Sequence, residues 1–331
     1  MPPTPSPWDV PLDDVPFDPE AVEAGAWSPG PYGAGDSLGT YHEVGPAKYA
    51  AALALVDLTR PIGVFDLGHR LYPGFPGYPG RAYEVHLQAS AVPERPNRIT
   101  HLQEQAQLSF NLGAKINGLH HSGVGQTYYG DRRLDDIIAA DGVGQLDTPT
   151  WGPPLLTRGF LIDVVADKVA RGDEAALSWA EDGRPALAPH YRITVEDLES
   201  AMAAQQLPAF EPGDAILIFT GSSRHGGRPF GEQNPGVWLR ESRWLARFVP
   251  AVLGADTIMW GTNNVDAVAG RGGSLHQEMF VRFGIRLGET MNLDGLATAG
   301  VDRFAFCHNP FRGDGVVSSN TPATAIGNVD R

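Results

Sequence analysis

The stretch NLGAKINGLHHSGVG, residues 111–125, decides how this chain is read. Two adjacent histidines, one lysine and two asparagines stand among glycines and small apolar residues. In an extended chain successive side chains point to opposite faces. Asn111, Lys115, Asn117 and His121 then share one face, and Leu112, Ala114 and Ile116 share the other. An ordinary strand with a solvated face has that pattern, and so does one wall of an active site. The spacing alone leaves both open. The small residues on either side let a ligand approach the backbone, and His120 adds a second imidazole.

The chain has 331 residues, 42% hydrophobic and 19% charged, with a net charge of -14. This is globular composition with enough length to bury a large core. Such acidity leaves no basic footprint for nucleic acid or anionic lipid. The expected partner is therefore a small-molecule substrate, with neither nucleic acid nor membrane. Cys307 is the only cysteine, which excludes an internal disulfide framework and a cysteine-rich zinc site. The first residues lack a basic segment followed by an apolar one, and no apolar run reaches membrane-spanning length. The expected location is the cytoplasm.

Residues 1–35 are rich in Pro and Gly and read as an extended arm, either draped over the body or disordered. Trp8, Phe17 and Trp27 favour draping. Residues 36–331 show no dividing linker after residue 45 and read as a single α/β domain. Helices are expected over 46–60 and 194–206, the latter with Thr194 as cap and Asp197 three residues on. Buried strands are expected over 158–167 and 213–221, with further strands at 63–71, before the opening motif, and at RFAFCHNPFR. Apolar strands mixed with helices argue for a substantially buried sheet.

Phosphate-loop and dinucleotide patterns are missing. GSSRHGG is not a nucleophile elbow. Cys307 and His308 are neighbours on an expected strand and point apart, so they form no direct nucleophile–base pair.

The ordered motifs resemble the cyclase family of kynurenine formamidase and isatin hydrolase, over residues 36–326. VFDLGHRLYPGFPGYPG is similar to its DLSHPLYPGMP opening, and AKINGLHHSGVGQTYYG to the stretch around its H-x-G-T-H-x-D-x-x-x-H signature. GFLIDVVA, ITVEDLESAM, FEPGDAILIFTG and LHQEMFVRFGIRLGETMNLDGLA follow in the family's order. The resemblance implies a mixed-sheet swivelling β/β/α domain, assembled as a homodimer or homotetramer. In the family, the first two signature histidines and the aspartate hold zinc or manganese, and the last histidine is the acid–base group. Here the metal positions fall on Asn111, Lys115 and Asn117, with Gly113 and His121 kept. The late histidine and glutamate correspond to His276 and Glu289.

A charged lysine offers only donors, and asparagine lacks the aspartate's charge. No metal cofactor is therefore expected. Lys115 takes the metal's place, either pairing with Glu289 or stabilising negative charge on a substrate carbonyl. His121 is expected to move the proton, with an acidity near neutral pH. His276 and Glu289 orient or relay. Asn111, Asn117, His120 and the loop aromatics Tyr72, Phe75 and Tyr78 are candidate substrate contacts. The expected activity is acid–base chemistry on a small carbonyl compound: cyclisation, dehydration, or hydrolysis of an amide or lactone. Two alternatives stand beside it. One is a zinc or manganese amidohydrolase with ligands recruited from His121, His276, Glu289, His120 or Asp256. The other is an inactive binding homologue.

Overall fold

A computed structural model describes residues 6–91, 95–225, 234–263 and 273–329. The strands of its main sheet and of its longest ribbon, in chain order, are β1 (Ile62–Asp66), β2 (Tyr83–Ala91), β3 (Thr100–Leu108), β4 (Lys115–Asn117), β5 (Leu155–Asp163), β6 (Ala215–Phe219), β7 (Val252–Ala255), β8 (Arg286–Glu289), β9 (Arg303–His308), β10 (Ser318–Ser319) and β11 (Thr324–Asn328). The main helices are α1 (Pro46–Leu53), α2 (Val164–Arg171), α3 (Val195–Ala204) and α4 (Leu239–Ala246).

Among the described residues, nine strands form one sheet in the order β1-β11-β9-β5-β6-β7-β8-β4-β10. The four central strands, β5 to β8, run parallel. The strands beyond them on either side pair antiparallel. Parallel strands need helical crossovers that cover both faces, so their sequences are continuously apolar. β6 shows this: Ala215, Ile216, Leu217, Ile218 and Phe219 are all buried. Each large side chain among them contributes about 1.5–3 kcal/mol by burial.

Local chemistry sets the element ends. Thr194 Oγ1 accepts from Asp197 N at 3.2 Å, and the Asp197 carboxylate accepts from Thr194 N at 3.0 Å, giving α3 the expected reciprocal cap. Two expected boundaries are corrected. The strand over 158–167 ends at Asp163, whose carboxylate accepts from Ala166 N at 2.8 Å and starts α2. The helix over 46–60 stops at Leu53. Beyond it Asp57 accepts from the backbone and hydroxyl of Thr59, a side-chain turn that competes with helix.

The N-terminal arm lies against the body along its described length. Trp8 stacks on Phe283 with centroids 5.6 Å apart, Phe17 meets Trp27 edge-on at 4.6 Å, and Val22 is buried in a short helical turn, Pro19–Glu23. Asp9, Asp13 and Asp14 pair with Arg247, Arg243 and Arg192. The arm therefore folds partly into helix where an extended chain is expected.

β2 and β3 form a separate two-stranded ribbon. Its register places Tyr83, Val85, Leu87 and Ala89 on one face with Leu102, Glu104, Ala106 and Leu108. The opposite face carries Glu84, His86, Gln88, Gln103, Gln105 and Gln107. Leu87 and Leu102 are 66% and 65% exposed.

Candidate active site

The opening stretch divides into three parts. Residues 111–114 turn, residues 115–117 form β4, and the chain turns again after Gly118. Gly113 has φ +73°, a left-handed conformation that favours glycine, and a Cβ there would sit 2.7 Å from Leu71. A Cβ on Gly118 would lie 2.3 Å from the Val317 carbonyl oxygen. The strict alternation expected over 111–121 therefore holds only within β4.

β4 lies between β8 and β10. The register sets Lys115 directly opposite Glu289, and Asn117 opposite Ser318. Directly opposed side chains share a face, so Lys115 Nζ reaches Glu289 Oε2 at 3.1 Å. Glu289 ends β8, at the carboxyl edge of the parallel strands, where ligands bind in open α/β sheets. Its Oε2 also accepts from Asn117 Nδ2 at 2.7 Å. Its Oε1 accepts from Trp260 N and pairs with His276 Nε2, each at 2.7 Å. Ser318 Oγ donates to Asn117 Oδ1 at 3.1 Å, which fixes the amide's orientation. Lys115 Nζ donates a second, longer bond of 3.4 Å to the Ile258 carbonyl.

All of these groups are buried. Burial alone would raise the Glu289 carboxyl, but the charge of Lys115 and the bond from His276 hold it well below the usual carboxylate range. Burial lowers Lys115, and the Glu289 charge opposes that. A carboxylate has about four lone-pair sites. Here all four are taken, so Glu289 is neither a free base nor a free ligand.

His121 sits at the rim of this network. Its ring lies 6.1 Å from that of His276 and 6.0 Å from Phe280, and no side-chain hydrogen bond holds it among the described residues. The expected near-neutral acidity is corrected. Burial, reinforced by the positive charge of Lys115 and Arg81, lowers His121 to about 4, and the Glu289 charge only partly offsets this. His121 is a neutral imidazole at pH 7.

The remaining candidates separate. His120 is corrected out of the site. It packs edge-on to Tyr128, its charged neighbours are Arg132 and Arg286, and burial lowers it to about 3. Asn111 contributes its backbone carbonyl, which accepts from Arg81 Nη1 at 2.7 Å, while its side-chain oxygen is buried without a partner. Tyr78 reaches the site, donating to Met259 Sδ at 3.2 Å. Tyr72 and Phe75 pack on each other, 5.5 Å apart, further out on the loop. Asp256 is pushed up to about 6 by burial, and its Oδ1 accepts from Thr220 N and Oγ1. Cys307 is half-buried, and burial raises its thiol; His308 is buried near Ser319 and Thr321.

The structure adds residues that the motifs did not single out. Arg81, at the end of the aromatic loop, stacks over Tyr78 at 4.8 Å and acts electrostatically on Glu289, Lys115 and His121. Its position directly after YPGFPGYPG was the available signal. His69, from DLGHRLYPG, bonds to the Thr290 backbone beside Glu289, and its Nε2 has no partner. Trp260 N, which bonds Glu289, has no sequence signal. A small cavity of about 40 Å³ lies against Trp260, Met259, Leu275 and His276, enough for water.

The sequence model of the cyclase family, described as "Putative cyclase", matches residues 56–262, more than half of the chain. The chain belongs to the cyclase family. No curated protein matches it significantly by sequence. Among solved structures, that of a novel cyclase superposes with a TM-score of 0.73 at 22% identity, over 90% of this chain and 98% of that one. An isatin hydrolase bound to the product analogue thioisatinate gives 0.57 at 15% identity, over 86% and 99%. Isatin hydrolase A from Labrenzia aggregata, bound to benzyl benzoate, gives 0.55 at 14% identity, over 81% and 94%. These likenesses establish the family's mixed α/β fold for this chain.

The zinc or manganese that the family resemblance implies does not fit these residues. The three first-metal positions carry two neutral amides and an ammonium, which repels a cation. Of the alternative ligands, Glu289 has all its lone pairs occupied, His276 is bonded to it through Nε2, His120 packs on Tyr128, and Asp256 bonds Thr220 through Oδ1 while its Oδ2 has no partner, so that only His121 is free of side-chain bonds beside the network among the described residues. No group of three or more metal-ligating side chains occurs among the described residues.

Proposed function

We propose that this cyclase-family chain is an enzyme that opens or closes an amide or lactone bond in a small carbonyl compound, using its own acid–base groups. The observation that carries this reading is the buried network Lys115–Glu289–Asn117–His276, bordered by the unbonded imidazole of His121. Every lone pair of Glu289 is satisfied, and the ammonium of Lys115 occupies the ladder position across from it.

In this reading, neutral His121 accepts the proton of an attacking water or hydroxyl and returns it to the leaving nitrogen or oxygen. Lys115 has three N–H donors, of which Glu289 and Ile258 take two. The third stabilises the oxyanion that develops on the carbonyl. Glu289 and His276 are positioning residues that hold the ammonium in place.

The test is hydrolysis of isatin, N-formylanilines and small aryl lactones by protein dialysed against chelator, with bound metal measured by elemental mass spectrometry. Turnover that survives with substoichiometric metal supports the reading. A requirement for one equivalent of zinc or manganese overturns it. Saturable binding of these compounds with no turnover would instead favour the binding-homologue alternative.

A further inference from the structure

Resting on that reading, we infer that the substrate carries a carboxylate or similar planar anion, and that Arg81 binds it. Within the site the charges of Lys115 and Glu289 cancel, joined at 3.1 Å. Arg81 is the cation left over. Its guanidinium is half-buried, lies 4.8 Å from the Tyr78 ring centroid, and gives one hydrogen bond, of 2.7 Å, to the Asn111 carbonyl. No carboxylate is within ion-pair distance of it among the described residues. Four of its five N–H donors are therefore without a protein acceptor there.

Other inward arginines contrast with this. Arg243 is bonded to Glu278 and Asp13, and Arg158 to Asp214 and Glu211. Arg286 also lacks a carboxylate, but it is fully buried against Tyr41 and Trp151, with guanidinium-to-centroid distances of 4.0 and 4.9 Å. No ligand reaches it. Arg81 keeps partial exposure and faces the groups proposed for chemistry.

A partly desolvated guanidinium recognises a carboxylate through two parallel N–H···O bonds. The Tyr78 face sets the plane of the fork. An anion seated there leaves a neighbouring carbonyl on the same molecule directed toward His121 and Lys115. The Asn111 bond is then the fixing contact that keeps the fork in position, in addition to closing the aromatic loop.

Isothermal titration calorimetry of benzoate and benzamide tests this by binding alone, so it stands whether or not turnover is found. Benzoate is expected to bind saturably and at least roughly tenfold tighter than the neutral, equally planar benzamide. Arg81→Met is expected to abolish that preference while leaving the melting temperature in place, and Arg81→Lys to retain part of it. Absence of benzoate binding, equal binding of the two probes, or a preference that survives Arg81→Met would each overturn the inference.

Discussion

Lys115 and Glu289 are directly opposed residues of the β4–β8 ladder, and their charged atoms meet 3.1 Å apart in the interior. The backbone register itself delivers the ion pair, with no loop needed to bring the charges together. Breaking such a pair from one side leaves the other charge buried and uncompensated, at about 3–5 kcal/mol. Lys115→Met is therefore expected to lose that much stability in denaturant melts. The double variant Lys115→Met, Glu289→Gln is expected to recover most of it but no turnover. Normal turnover in the double variant would reduce Lys115 to a staple.

His121 makes no side-chain hydrogen bond among the described residues, so replacing it costs little structure. His121→Asn is expected to keep its stability within about 1 kcal/mol. Its kcat is expected to fall by about 10²–10⁴, the range for loss of a general base. In the unmodified enzyme, kcat/KM is expected to decline only as pH falls through about 4, where the imidazole takes up a proton. A midpoint near the ordinary histidine value would assign the limb to another group.

Two buried histidines and the partly exposed His121 make the fold acid-sensitive. His120 is lowered to about 3, and His121 and His308 to about 4, in each case chiefly by burial. The unfolded chain binds these protons near pH 6.5. Between that value and the folded ones, the unfolded state therefore holds more protons, and stability falls as pH drops. Stability is expected to be full above about pH 6.5 and to decline by several kcal/mol toward pH 4. Thermal melts across this window check the slope; a flat profile would contradict the neutral state of these rings.

The residue pattern reaches far into this protein, and its limits have physical causes. Continuous apolar runs such as AILIF determine buried parallel strands, because both faces of those strands are covered. The Thr194–Asp197 spacing determines a helix start, because both partners lie within one turn. The ordered motifs point to the family, and that resemblance puts two amides and an ammonium, at residues 111, 115 and 117, where the family carries its first metal ligands. Tertiary structure decided the rest. The turns around Gly113 and Gly118 confine alternation to three residues. Arg81 and Trp260 join Glu289 across long sequence separations that no local period encodes. The acidity of His121 depends on burial and on charges from three other segments. Local propensity is written in neighbouring residues; a site's electrostatics arises only when distant segments exclude water together.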